Sequence, residues 1–137
     1  MLSHERAAIR RGHKRSRTLA EYCQLCDDEN FSDLVQRFAP RGSFAFGGEV
    51  VTGRDDLEDW FAQNQRPELR GKHLEANAII DVDGDRARAV SDFVFLRRID
   101  GVVTPQIAGR YRDTLVKLED RWLIDRREVE VQPTAVP

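Results

Sequence analysis

Four long stretches in the second half of this chain alternate between apolar and polar residues, and this alternation is the feature that most constrains the fold. They cover residues 72–82, 86–99, 103–118 and 121–131, and the short strings VDGD, RIDGVV and LEDRW separate them. A period of two is typical of β-strands, and Asp-Gly or acidic pairs in short connections favour tight turns between antiparallel neighbours. The pattern therefore predicts a four-stranded antiparallel meander.

The first half of the chain is typical of helices. An apolar stripe at i, i+3, i+4 and i+7 predicts an amphipathic helix, and it consists of Leu19, Tyr22, Cys23 and Cys26. Gly12 is expected to interrupt any helix before it. A shorter helix is predicted from a cap at Asn30 to a stop at Pro40, followed by a hairpin in GSFAFGGEVVTG and a third helix in GRDDLEDWFAQN. Helices followed by a meander indicate an α+β fold, in which the helices cover one face of a bent sheet and leave a cavity between the layers.

Length and charge limit the classes of protein to which this chain can belong. With 137 residues the chain can form one domain, and we divide it into a basic extension (residues 1–17), a domain (18–131) and a tail (132–137). A net charge of −2 gives no general argument for a nucleic acid or a membrane surface as partner, and no apolar run approaches membrane-spanning length. The basic extension could be a nucleic-acid arm or an organellar presequence, and a solvated helix face or loose tail is the interpretation we favour.

The two cysteines stand as CxxC in YCQLC. Neither a second cysteine pair nor a nearby histidine accompanies them, so four zinc ligands cannot be assembled from this stretch. We interpret Cys23 and Cys26 as buried, reduced helix residues without a metal, which predicts a reducing, cytoplasmic compartment. No metal or other cofactor is expected, because His73 has no second histidine or carboxylate cluster beside it and the chain has no glycine-rich phosphate loop.

His73 is the first candidate for chemistry. It opens the strand-like string GKHLEANAII, in which one side carries His73, Glu75, Asn77 and Ile79, and the other carries Leu74, Ala76, Ala78 and Ile80. The polar row either faces water or begins inside a cavity where the imidazole acts as a base, a role suited to its ordinary pKa of about 6.5. Asp27 borders the apolar stripe of the first helix, so its carboxylate could hold that ring.

Other side chains are candidates for contacts with a ligand. Tyr22, Asn77 and Tyr111 could donate to a substrate oxygen, or the tyrosines could be packed and the asparagine exposed. Arg127 shares a strand face with apolar residues and is expected to reach inward, whereas ion pairs on the outer sheet face explain the neighbouring arginines and acids, Asp113 among them. An aromatic interior favours a small, flat, hydrophobic organic ligand, and its candidate wall residues are Phe46, Trp60 and Phe93.

Several strings resemble the SnoaL-like branch of the NTF2-like superfamily. They are LCDDENFSDLVQRFAP, VVTGRDDLEDWF, KHLEAN, VDGDRARAVSDFVF and GRYRDTLVKLEDRWLIDRREV, and together they extend from Leu19 to Val131. The resemblance implies a cone-shaped α+β fold, with a curved antiparallel sheet wrapped around three N-terminal helices. It leaves the reaction open, because this superfamily includes dehydratases, isomerases, polyketide cyclases and non-catalytic modules.

Two enzyme types of that branch, scytalone dehydratase and hexachlorocyclohexane dehydrochlorinase, resemble the chain at the site. The resemblance implies a dyad in which His73 removes a proton from carbon and Asp27 orients it. The late-strand arginine of the dehydrochlorinase type aligns with Arg127, but its first-helix lysine falls on Tyr22, and the second histidine of the dehydratase type has no counterpart in DFVFL.

The functional hypothesis is a cofactor-independent lyase or isomerase, of the dehydratase, dehydrohalogenase or steroid isomerase kind, acting on a small hydrophobic cyclic molecule. The alternatives are a non-catalytic module that binds a ligand or another subunit, and a polyketide cyclase-like enzyme. A homo-oligomer is expected, a dimer first and a trimer as the alternative, because one face of the sheet is left without helices.

Overall fold

A computed structural model describes residues 2–133, with side chains described from residue 14 onward. The helices are α1 (Leu2–Asp27), α2 (Phe31–Leu34) and α3 (Arg54–Asn64), and 3₁₀ turns lie at Val35–Arg37 and Pro67–Leu69. The strands are β1 (Phe38–Phe46), β2 (Glu49–Thr52), β3 (Lys72–Asp83), β4 (Arg86–Ile99), β5 (Val102–Leu118) and β6 (Arg121–Val131). Residues 134–137, which belong to the predicted tail, lie outside the described residues.

The six strands form one curved, unclosed sheet in the order β2-β1-β6-β5-β4-β3. All neighbouring strands are antiparallel except β1 and β6, which run parallel. The three helices precede the meander in the chain, and α1 packs against β3 and β6. This confirms the α+β class and the predicted four-stranded meander. The observed ends of the four strands differ from the predicted ends by at most one residue.

Two predictions about the helices were wrong. Helix α1 continues through Gly12 without a break. The second helix has the predicted cap at Asn30, whose side chain accepts from the backbone N–H of Asp33, but the chain becomes a strand at Phe38, before Pro40. The Phe38 side chain is fully buried and its carbonyl accepts two hydrogen bonds from Arg54, so burial and tertiary hydrogen bonds fix the strand start.

A bulge in β3 breaks the predicted alternation. Ala76 pairs with Asp92 and Ile79 with Val90, so β3 holds one extra residue there, and Asn77 has a left-handed φ of 57°. His73 and Glu75 therefore face the helices, but beyond the bulge the pattern reverses. Ile80 packs inward and Ile79 points outward, with 66% of its surface exposed. The polar row predicted from His73 to Ile79 is thus continuous only as far as Glu75.

The core consists of two apolar clusters between the helices and the inner sheet face. The larger is aromatic and lies under α1 and α3, with Tyr22, Phe38, Phe44, Phe61, Phe93 and Tyr111 among its buried members. The smaller lies toward the other end of the sheet and contains Leu19, Ala87, Ala89, Leu115 and Trp122. The aromatic cluster is the one that borders the candidate site.

Gly109 provides a test of how tightly the sheet packs. A Cβ added there would lie 2.3 Å from the carbonyl oxygen of Glu130 and 2.9 Å from the Phe93 ring. Because the first contact is to backbone, we expect Gly109→Ala to lower the free energy of unfolding by about 1–3 kcal/mol, the usual cost of overpacking. Urea denaturation measures this, and Ala108→Ser, at an exposed neighbouring position, is the control. Equal stability of the two variants would contradict the packing described.

Candidate active site

Asp27 and His73 meet where α1 ends and β3 begins. The Nδ1 atom of His73 lies 2.6 Å from Oδ1 of Asp27. The backbone N–H of His73 also donates to both carboxylate oxygens, at 3.1 and 3.0 Å. Each side chain is only 9% exposed, and the imidazole packs against the Phe95 ring with 4.6 Å between ring centres. The structure therefore brings together the two residues that the sequence predicts as a dyad.

This geometry determines the tautomer of the neutral ring. An ionised carboxylate only accepts hydrogen bonds, so Nδ1 carries the proton that it shares with Asp27. The lone pair of the ring then lies on Nε2, the edge away from Asp27. The three hydrogen bonds from His73 also compensate Asp27 for its unfavourable place at the negative end of the α1 dipole.

His73 lines a cavity of about 330 Å³ between the helices and the inner face of the sheet. This volume lies at the lower end of the range for small-molecule sites and suits a ligand of one or two rings. The apolar and aromatic wall residues are Phe44, Phe46, Trp60, Phe61, Leu69, Phe93, Phe95, Ile107 and Val129. The polar ones are Tyr22, Asn64, Gln65, His73, Arg97, Gln106 and Tyr111. Asn64, Leu69 and Gln106 are exposed, so the cavity opens beside the end of α3.

Two tyrosines line the deep side of the cavity. Tyr22 and Tyr111 are each 2% exposed, and their ring centres lie 6.0 Å apart. Within the part of the chain that the structure describes, neither hydroxyl makes a hydrogen bond to a protein group. Burial raises the pKa of both phenols well above the ordinary value, so both hydroxyls keep their protons at neutral pH. Two neutral donors are thus available to a ligand.

Arg127 lies beneath these tyrosines and is completely buried. Its guanidinium carbon is 3.8 Å from the centre of the Tyr111 ring and 4.2 Å from that of Tyr22. Nε and Nη2 donate to the two oxygens of Asp113, each at 2.8 Å, and Nη2 also donates to Glu75 at 2.9 Å. Arg127 reaches inward as the sequence predicts, but it does not line the cavity.

Glu75 is the third acidic residue of this interior. Oε1 accepts from Arg127 and, at 2.6 Å, from the hydroxyl of Ser91. Burial raises the pKa of Glu75, and the charge of Arg127 opposes that rise. Asp113, which was predicted to form ion pairs on the outer face, is instead only 4% exposed and faces inward beside Arg127. That assignment was wrong because Asp113 pairs with Arg127 on the inner face of the sheet.

The remaining predicted ligand contacts divide into two groups. Phe46, Trp60 and Phe93 line the cavity. Asn77 does not, because the β3 bulge directs it to the surface, where its amide donates to Asp92 at 3.2 Å. Arg97 also lines the cavity and was not among the predicted contacts, yet Phe93, Phe95 and Arg97 follow one another at every second position of one strand. That spacing is a signal that could have placed Arg97 on the cavity face.

No cluster of three or more histidine, cysteine, aspartate or glutamate side chains suited to a metal ion is found among the described residues. Among those same residues, no helix is long and apolar enough to cross a membrane.

The family model for the SnoaL-like domain matches residues 4–128, which is most of the chain. The chain belongs to the SnoaL-like family. No curated protein sequence matches this SnoaL-like chain.

Several solved structures share the fold of this SnoaL-like chain. A protein of unknown function from Mycobacterium tuberculosis is 26% identical, with a TM-score of 0.84 over 88% of this chain and 76% of that chain. An NTF2-like protein from Novosphingobium aromaticivorans is 22% identical, with a TM-score of 0.85 over 98% of this chain and 92% of that chain. A scytalone dehydratase-like protein from the same organism is 21% identical, with a TM-score of 0.79 over 97% and 89%.

The two thiols beside this site should be unreactive. Cys23 and Cys26 are free and buried, and burial raises the pKa of Cys23 to about 12 and that of Cys26 further. Since the thiolate is the nucleophile, we expect no labelling of native protein by Ellman's reagent at pH 8 over minutes, and two thiols per chain to react in denaturant. Rapid labelling of the native protein, or zinc bound at these sulfurs, would contradict the assignment.

Proposed function

We propose that this protein is a cofactor-independent lyase or isomerase that acts on a small hydrophobic cyclic molecule. The observation that carries the proposal is the 2.6 Å contact between His73 and Asp27, beside a largely aromatic cavity. A histidine that is oriented by a carboxylate at the wall of a cavity is an arrangement suited to general-base catalysis.

In the proposed reaction, Nε2 of His73 takes a proton from a carbon next to a carbonyl group of the substrate. The electron pair of that C–H bond forms a C=C bond while the carbonyl π pair moves onto oxygen, which gives an enolate, and the imidazolium is stabilised by the carboxylate of Asp27. The enolate then returns to the carbonyl form and expels a halide from the neighbouring carbon, or a hydroxyl group that takes the proton from the His73 imidazolium and leaves as water, which completes a β-elimination. Return of the proton to a different carbon instead completes a double-bond migration.

Tyr22 and Tyr111 are proposed to stabilise the charge that develops on the substrate oxygen. Their hydroxyls are neutral donors without partners among the described residues, and a developing oxyanion gains most from donors in a site that excludes water. Arg127 contributes through them, because its guanidinium packs on both rings and fixes their positions. Arg127 is therefore a positioning residue in this proposal and makes no contact with the substrate.

The alternatives use the same cavity. A ligand-binding module would take up the same class of molecule without turnover, and a structural neighbour from Catenulispora acidiphila, 22% identical to this chain, has been solved in complex with S-DNPA. A polyketide cyclase-like reaction would also begin with proton removal from carbon. Unpaired thiols at Cys23 and Cys26 support a reducing, cytoplasmic compartment for any of these functions.

Exchange of carbon-bound hydrogen tests the proposal without knowledge of the leaving group. We expect the protein to accelerate exchange at the acidic position of beta-tetralone, a compact ketone of two fused rings, in heavy water. His73→Ala should reduce the rate by about 10²–10⁴-fold, the usual contribution of a general base, and Asp27→Asn should reduce it severely as well. Proton NMR follows the loss of the exchanging signal.

Asp28→Asn is the matched control for Asp27→Asn, since it removes the same charge from the adjacent, exposed position. We expect its exchange rate to equal that of the unmodified protein. Binding of the ketone without any accelerated exchange would favour the ligand-binding module. Equal losses in the Asp27 and Asp28 variants would argue against the dyad.

We also propose that the protein forms a homodimer through the outer face of its sheet. Leu74 and Ile79 lie on that face with 53% and 66% of their surface exposed. Their partners across the sheet are Val94 and Val90, so apolar side chains continue from β3 onto β4. Burial of this strip against a second copy would remove apolar surface from water. A trimer through the same strip is the alternative oligomer.

Light scattering measures the oligomer directly. We expect a mass of twice the chain at micromolar concentration, and a monomer when Ile79→Lys places a charge in the strip. Val50→Lys is the control, because Val50 is 58% exposed but lies in β2 at the opposite edge of the sheet. A monomeric unmodified protein, or dissociation by both variants, would count against this interface.

A further inference from the structure

Arg97 is the charged residue at the mouth of the cavity, and its charge is not neutralised. Its Nη2 atom donates to the backbone carbonyl of Glu68 at 2.7 Å, which anchors the side chain, while Nε is buried and donates to no protein acceptor. The Glu68 carboxylate faces Arg66 instead, at 3.5 Å. Within residues 14–133, Arg97 forms no ion pair. A buried, unpartnered guanidinium N–H is costly unless an acceptor binds there.

The cavity wall carries basic side chains and no acidic ones among the described residues. Its lining residues include Arg97 and His73 but, within the described part of the chain, no aspartate or glutamate. Three carboxylates of the interior are held by protein donors: Asp27 by His73, and Asp113 and Glu75 by Arg127. A ligand therefore meets a permanent positive charge at one end of an apolar space and no negative charge to repel an anion.

The strand register fixes where that charge lies relative to the proposed base. His73 pairs with Phe95, and Arg97 is two residues further along the same face of β4. Two residues of a strand span about 7 Å, roughly the width of one six-membered ring with a substituent. If Arg97 holds an anionic group of the ligand, the adjacent ring would lie beside His73. The far side of the ligand would then point toward Tyr22 and Tyr111.

We infer that the cavity is selective for planar cyclic carboxylates, and that Arg97 binds the carboxylate. This inference rests on the proposed function, which identifies the reacting site. It adds the class of substrate: a small cyclic acid whose carboxylate faces the mouth of the cavity. An arginine that offers N–H donors to a carboxylate forms stronger hydrogen bonds than neutral groups do. Neutral molecules of the same shape would lack this interaction.

The test compares naphthoate with naphthamide, which have the same shape and differ in charge. Trp60 lines the cavity, so quenching of tryptophan fluorescence reports binding, with calorimetry as the second measurement. We expect the unmodified protein to bind naphthoate more tightly than naphthamide by about 10–100-fold, the usual effect of hydrogen bonds to a charged group. High salt should weaken the binding of naphthoate and leave that of naphthamide unchanged.

Arg97→Gln should abolish the preference for the acid, and Arg97→Lys should restore part of it. The matched control is Arg98→Gln, which removes the same charge from the adjacent exposed position on the other face of β4 and should retain the preference. Thermal unfolding of each variant checks that the fold is intact. Equal affinity of the unmodified protein for acid and amide, no saturable binding of the acid, or equal losses in the Arg97 and Arg98 variants would overturn the inference.

This binding assay is independent of turnover. If the preference for naphthoate is present and beta-tetralone exchange is absent, the selectivity holds and the proposed reaction fails. If exchange is present and the preference is absent, the reaction holds and the role of Arg97 fails.

Discussion

The buried cation at Arg127 is the interaction on which the interior of this protein depends. A guanidinium without exposed surface is tolerated only if its charge is compensated, and Asp113 and Glu75 provide that compensation. Burial alone would lower the pKa of Arg127, but these carboxylates raise it well above its ordinary value, so the side chain stays charged. The ion pairs join β6 to β5 and β3, and the contact with Tyr22 extends the same cluster to α1. Loss of one partner from such a cluster typically costs about 3–5 kcal/mol.

The same cluster explains which polar groups near the cavity are free to bind a ligand. Because Arg127 occupies Asp113 and Glu75, neither carboxylate is available to a ligand. Asp27 is likewise occupied by His73. The polar groups that remain to the cavity are neutral or cationic: the phenols of Tyr22 and Tyr111, the Nε2 lone pair of His73, the side-chain amides at the mouth, and the guanidinium of Arg97. An interior arranged in this way favours electron-rich ligand oxygens over ammonium groups, and it does so without a metal-binding cluster among the described residues.

The sequence predicted the architecture well and the site in part. Alternation and Asp-Gly turns located the four long strands, because both signals are local; Asp100 and Gly101, for example, adopt the left-handed conformation that a two-residue hairpin turn requires. The pairing of Asp27 with His73 was predicted through the family resemblance, since no local pattern joins residues 46 positions apart. The bulge at Asn77 could not be predicted, because a non-glycine residue in the left-handed region follows from tertiary pairing. Asp113 was misplaced because ion pairs on either face of a sheet give the same sequence pattern.

Orientation of the ligand follows from where the polar groups lie in an otherwise apolar space. Aromatic walls bind a flat molecule but do not fix its rotation or the direction in which it enters. In the proposed complex, two polar contacts at opposite ends would remove that freedom, because Arg97 at the mouth would hold an anionic substituent and the phenols at the deep end would hold an oxygen. A ring held at both points presents one edge to His73, whose own position is fixed by three hydrogen bonds to Asp27. Fixed orientation of both base and substrate is what turns a weak imidazole base into an effective one.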